Sequence, residues 1–211
     1  MQELLDEGYD ILFVDLETSR DIIRKNANYV MQIIQYINGE LIANESEEQI
    51  AVLGIGTGGV IGRIAVREME LQQCCHNVRM FTAMDAPHRG MNIPIGIQAF
   101  LESTTNSFST RRTRRLESFY ENVIQSPLMD ELLIYNYDQS KVSTHMGFKQ
   151  YMDLIGMPKT SRNFAIINGA DDGKVQKDNT DVVPMQVGAP YFLLNIKAWA
   201  PLSSALSTVG S

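Results

Sequence analysis

The residues best placed to do chemistry sit in one turn. Residues 53–59 read LGIGTGG, with four glycines, one threonine hydroxyl and two apolar residues, between an apolar run and an amphipathic stretch. A glycine turn from strand to helix lets a ligand approach the backbone and turns the first helical N–H groups toward it. Such a turn can cradle a phosphate, hold a cationic methyl donor or carry a strained nucleophile. Each use demands one residue that separates it from the others.

Gly54, Gly56 and Gly59 satisfy the G-x-G-x-x-G spacing of a dinucleotide loop, and Asp85, at the end of the next apolar run, could hold a ribose. The distance along the chain to Asp85 exceeds the roughly 20 residues expected of that acid. VLGIGTGG is also similar to the glycine loop of methyltransferases, with MDAP in the place of their second-strand acid. Those loops carry a further acid where Gly54 stands, and without it the cationic donor loses a partner. The third pattern is G-x-S-x-G, the nucleophile elbow. Gly54 and Gly58 fall on its outer glycines and Gly56 on its serine, so the frame fits and the nucleophile is missing.

The surrounding pattern predicts the elements that position this turn. ILFVDL at 11–16 reads as a strand buried on both faces, followed by a helix capped by Thr18 or Ser19. Ile23, Ala27, Val30, Ile34 and Ile37 form one apolar stripe on that helix, and Asn38 and Gly39 end it. IAVLGIG at 50–56 is a second strand, and the helix after the glycines turns Val60, Ile61, Ile64, Ala65 and Met69 inward. VRMFTAMDAP at 78–87 is a third strand. This alternation predicts an α/β fold with a parallel sheet covered by helices on both faces. Helical stripes then occupy an insertion over about 92–160, with Ser126 and Pro127 as a helix start. RNFAIING at 162–169 resumes the strands, and YFLLNIKAWA near the end reads as one more.

Composition bounds the partners. With 211 residues, 44% apolar and 20% charged, the chain predicts a single globular domain. A net charge of −7 argues against general nucleic-acid binding, and RRTRR at 111–115 reads as a solvated helix start or loop face. Cys74 and Cys75 are adjacent, which disfavours a disulfide between them, and CCH at 74–76 lacks metal-ligand spacing. The pattern predicts no metal, no cofactor, no membrane span and no signal peptide at the start.

GYDILFVDL, GIGTGGVIGR and MDAPHRGMNIPIGIQ, taken in order, resemble the lipase and esterase branch of the α/β-hydrolases, particularly lipase-like proteins of Bacteroidetes-type bacteria. There G-x-S-x-G-G leads into a helix with an arginine, here Arg63, and a PHRG turn follows the next strand, here Pro87–Gly90. RNFAIINGADDG resembles the strand whose end supplies the acid of the triad. The resemblance implies a partial hydrolase-like domain spanning 1–211, a helical lid at about 92–160, and carboxylic ester hydrolysis as the family chemistry. It implies a small acyl ester or apolar ligand, and a secreted or cell-envelope setting.

Carried over residue by residue, the nucleophile position is Gly56, with no serine. The backbone N–H of Thr57 is one oxyanion donor; its hydroxyl lies one position too far into the turn to replace the serine. Asp172 is the candidate acid and Asp171 the alternative, while Asp85 and Asp181 follow behind them. His76, His88 and His145 all precede Asp171, whereas the family's base follows its acid. The chain is therefore expected to be an inactive or crippled hydrolase, a pseudoenzyme, and a fragment of a longer domain. A non-catalytic binding module on the same fold is the alternative, and a protein binding NAD or S-adenosylmethionine is the third reading.

Overall fold

A computed structural model describes residues 2–17, 19–105 and 114–168, together with the backbone of 183–187 and 196–200. Short helix α1 (Gln2–Asp6) precedes the long α2 (Ile23–Ala43), then β1 (Ile50–Ile55), α3 (Thr57–Leu71) and β2 (Val78–Met84). Four further helices follow: α4 (Ile95–Thr105), α5 (Arg114–Phe119), α6 (Pro127–Leu132) and α7 (Val142–Ile155). A π-helical turn at Tyr120–Ile124 extends α5, and a 3₁₀ turn at Gln139–Lys141 leads into α7. β3 (Arg162–Ile166) then returns to the sheet. The result is α/β: a small, open sheet of order β1-β2-β3 in which both pairings are parallel. β4 (Val183–Val187) and β5 (Ile196–Ala200) pair with each other in antiparallel fashion as a separate ribbon.

α3 covers one face of the sheet because its glycines permit it. A side chain at Gly62 would stand 3.1 Å from the Phe81 ring and 3.5 Å from Val52, so those strand residues face the helix axis closely. Val60, Ile61, Ile64, Ala65 and Met69 are buried, as the stripe predicts, and α2 adds Ile23, Ala27, Met31 and Ile34 to the same core. Ser126 caps α6 as expected, accepting a hydrogen bond from the Met129 amide at 3.3 Å, with Pro127 at the first helical position.

The opposite face has no such cover among the described residues. Leu53 and Ile55 of β1 point there, as do Phe164 and Ile166 of β3, and all four are exposed. Of the helices expected on both faces, the described residues supply those on one. The strand expected at 11–16 is corrected: Ile11–Leu16 lies outside any strand, with Leu12, Phe13 and Val14 exposed. An apolar run forms a doubly buried strand only when a sheet edge and two covering layers receive it.

Three boundaries also differ. α2 begins without a side-chain cap from its own neighbourhood; the Ile23 amide donates instead to the Glu131 carboxylate of α6 at 2.6 Å. It runs past Asn38 and Gly39 to Ala43, because Gly39 faces open space and Asn38 donates sideways to the His76 carbonyl at 3.0 Å. β2 stops at Met84, where Asp85 takes a left-handed conformation (φ 48°).

Two arginines of α3 close the C-terminus of α7. Arg63 Nε donates to the Gly156 carbonyl at 2.9 Å and Nη2 to that of Met152 at 2.8 Å, while Arg67 Nε reaches Ile155 at 2.7 Å. The Ile155 and Gly156 carbonyls lie beyond the last helical hydrogen bond, whereas that of Met152 also accepts from the Gly156 amide at 3.2 Å; a cation there interacts favourably with the helix dipole. Arg63 is buried, so Arg63→Met should cost about 1–3 kcal/mol by leaving the part-buried Gly156 carbonyl without its donor. Arg63→Lys should recover only part of it, since an ammonium lacks the planar fork. Urea unfolding reads both; equal stability of all three proteins would refute the role.

Glu70, near the end of α3, ties that helix to the segment entering β3. Its carboxylate accepts from the Lys159 amide at 2.8 and 2.9 Å, the Thr160 amide at 2.7 Å and the Thr160 hydroxyl at 2.7 Å. Arg67 Nη1 completes the set at 2.7 Å. Burial pushes this carboxyl up, but the Thr160, Lys159 and Arg67 donors outweigh burial and hold its pKa at about 2.

Candidate functional site

The three parallel strands end side by side, and the glycine turn leaves the first of them. Gly56 follows β1 with φ 56° and ψ −125°, and α3 begins at Thr57. A side chain would be strained in that conformation, which glycine adopts freely. The Gly56 amide donates to the Met84 carbonyl at 2.8 Å and its carbonyl accepts from the Gly59 amide at 3.1 Å, so the turn is tied to β2 and to its own helix. No acceptor meets the Thr57 N–H among the described residues. It remains available to an incoming oxygen at a helix N-terminus.

The other glycines are fixed by close approach. A Cβ on Gly54 would stand 2.5 Å from the Gly58 carbonyl oxygen and 2.5 Å from the Gly59 Cα, both backbone atoms. A Cβ on Gly59 would stand 2.5 Å from the Ala86 Cβ. Gly56 and Gly58, by contrast, open on space with nothing within 4 Å. The position where a methyl-donor loop carries its acid is thus one that admits no side chain.

Asp85 directly follows β2 beside this turn. Its amide donates to the Ile166 carbonyl at 2.8 Å, and its carboxylate accepts from the Asn168 amide at 2.7 Å and from the Asn168 side chain. This engagement welds the end of β3 to the end of β2. It also occupies the carboxylate that a ribose would need. Asp171 and Asp172 follow Ile166 by five and six residues and lie outside the described residues, as does Asp181. The structure therefore places Gly56 and Thr57 in one turn and leaves the position of the candidate acids open.

The histidines serve the framework. His145 is buried on α7, and its Nδ1 donates to the Glu131 carbonyl at 2.8 Å. His76 accepts from the Val78 amide at 2.9 Å through Nδ1 and meets the Thr160 hydroxyl at 2.9 Å through Nε2. His88, in the PHRG turn, has both ring nitrogens buried without a hydrogen-bond partner among the described residues. Burial and then the Arg63 charge lower its pKa to about 4, so it is neutral at neutral pH. Arg63, which the sequence marks only as a family residue, is thus both the C-terminal closure of α7 and the cation beside His88.

Cys74 and Cys75 are free, and among the described residues no group of three or more His, Cys, Asp or Glu is arranged to hold a metal ion. Arg114 starts α5; Arg111, Arg112 and Thr113 lie outside the described residues. No helix among the described residues is long and apolar enough to cross a membrane. Two cavities, one against α2 and one among the later helices, do not include the glycine turn in their walls. No family model, curated protein or solved structure matches the chain.

Proposed function

We propose that the turn at Gly54–Gly59 is a nucleophile elbow without its nucleophile, on a lipase- or esterase-like α/β-hydrolase framework that no longer hydrolyses esters. The observation that carries this reading is the backbone of Gly56: a strand-to-helix turn at φ 56°, ψ −125°, with the next N–H unpaired among the described residues. An elbow serine tolerates the strain of such a conformation because the turn thrusts its hydroxyl out of the sheet. Glycine keeps the turn at lower conformational cost and removes the hydroxyl. The Thr57 N–H can still polarise a carbonyl oxygen, so binding of an acyl ester or apolar ligand outlives the chemistry. In chain order α4–α7 fall between β2 and β3, where the proposed lid is inserted, and Asp172, or Asp171, remains the candidate acid.

The nucleotide-cofactor reading has less support. The Gly54 site excludes an acid, and the Asp85 carboxylate is already engaged by Asn168.

Gly56→Ser is the test, because a Cβ there meets nothing within 4 Å. The substitution should fold, with a conformational cost of about 1–3 kcal/mol. In a serine protease, loss of the nucleophile costs about 10⁶ in turnover. The unaltered chain should therefore release p-nitrophenol from p-nitrophenyl butyrate at the buffer rate, and Gly56→Ser should exceed it by at least about tenfold. Turnover by the unaltered chain that survives Thr57→Ala and Asp172→Ala would overturn the reading. Saturable NAD or S-adenosylmethionine binding, lost in Gly58→Val, would transfer the turn to a cofactor.

A further inference from the structure

Away from the strand ends, α4, the π-helical turn and the segment entering α7 enclose a cavity of about 290 Å³. Its framework is tightly fixed. Gln98 of α4 is 1% exposed; its Nε2 donates to the Ile93 and Tyr135 carbonyls at 2.6 and 2.8 Å, and its Oε1 accepts from the Tyr137 amide at 2.8 Å. The cavity is also edged by a stretch of π-helix, a rare geometry concentrated at functional sites.

Two buried walls end in unused polar atoms. Asn136 is 7% exposed and its Oδ1 accepts from the Asp138 amide at 2.9 Å, but its Nδ2 meets no acceptor among the described residues. Tyr120, also 7% exposed, has no hydrogen-bond partner for its hydroxyl among the described residues. Both residues line the cavity, and neither atom is fully sealed from solvent. A polar group in a cavity wall without a protein partner is met by water or a ligand.

The charge around the cavity selects the ligand. Among the described residues, Asp138 brings a carboxylate to the wall, and the Lys141 ammonium there is paired with Asp130 at 2.9 Å. With no uncommitted positive charge among the described wall residues, phosphates and carboxylates are disfavoured. Amide, carboxylate and phenol groups beside the Tyr137 ring suit a molecule with many hydroxyls and an apolar C–H face. We propose that this cavity binds a neutral polyol of monosaccharide size, held by the Asn136 Nδ2 and the Tyr120 hydroxyl.

Isothermal titration with D-glucose, N-acetyl-D-glucosamine and myo-inositol tests the site. At least one should bind saturably in the millimolar range. Tyr120→Phe removes only the hydroxyl, and Asn136→Asp keeps the acceptor for the Asp138 amide; each should weaken binding about tenfold. Glucose 6-phosphate should bind no more tightly than glucose. Gly56→Ser should leave the affinity unchanged, which separates this site from the elbow. The proposal is overturned by no saturation with any of the three sugars, by equal affinity in both wall variants, or by preference for the phosphate.

Discussion

Gly54→Ala is expected to unfold the chain or to cost more than about 3 kcal/mol, a large loss for removing no atoms at all. The added Cβ would stand 2.5 Å from two backbone atoms of the following helix, and backbone cannot swing aside as a flexible side chain can. Relief requires the start of α3 to lift from β1, which breaks the packing of Val60, Ile61 and Ile64 together. Gly58→Ala is the matched control. It lies in the same turn, meets nothing within 4 Å and sits inside α3, where alanine is favoured over glycine by about 1 kcal/mol. Urea midpoints of the two variants should therefore move in opposite directions. Similar shifts in both would mean that the turn is not held by close approach.

Glu70→Gln should cost about 3 kcal/mol near neutral pH, and the cost should vanish in acid. The carboxylate is 5% exposed and its pKa falls from 4.5 to about 2 on folding, which corresponds to about 3 kcal/mol of linked stability. Because the folded pKa is the lower one, this stability is complete above pH 4.5. It fades as the pH falls toward 2, where folded and unfolded chains both carry the proton. Glutamine does not titrate. Urea unfolding of the two proteins across that window should show their difference closing as acid is added; a constant difference would sink the assignment.

What the sequence discloses is what local chemistry controls. The glycine turn, the buried stripe of α3 and the Ser126 cap follow from spacing and residue type within a few positions of each other, and all three stand in the structure. Partners distant along the chain were not legible. Nothing near Ile23 indicates that Glu131, 108 residues away, will receive its amide, and nothing near Arg63 indicates Gly156. Ile11–Leu16 marks the same limit from the other side, since its composition suits a buried strand and burial depends on neighbours that only the tertiary structure supplies. At the candidate site the sequence identified Gly56 and the turn. Its histidines are absorbed by structural bonds or by burial, which residue type alone could not reveal.

The sheet face left uncovered among the described residues has a consequence for the chain in solution. Leu53, Ile55, Phe164 and Ile166 form a greasy surface, and among the described residues β1 stands at the edge of its sheet with one side unpaired. An open edge beside such a surface invites strand addition from a second molecule. The net charge of −7 opposes that approach over a distance that salt shortens, to about 8 Å at physiological ionic strength. Ionic strength, more than temperature, should therefore govern whether the chain stays dispersed, with low-salt buffers keeping copies apart and high salt letting the bare faces meet.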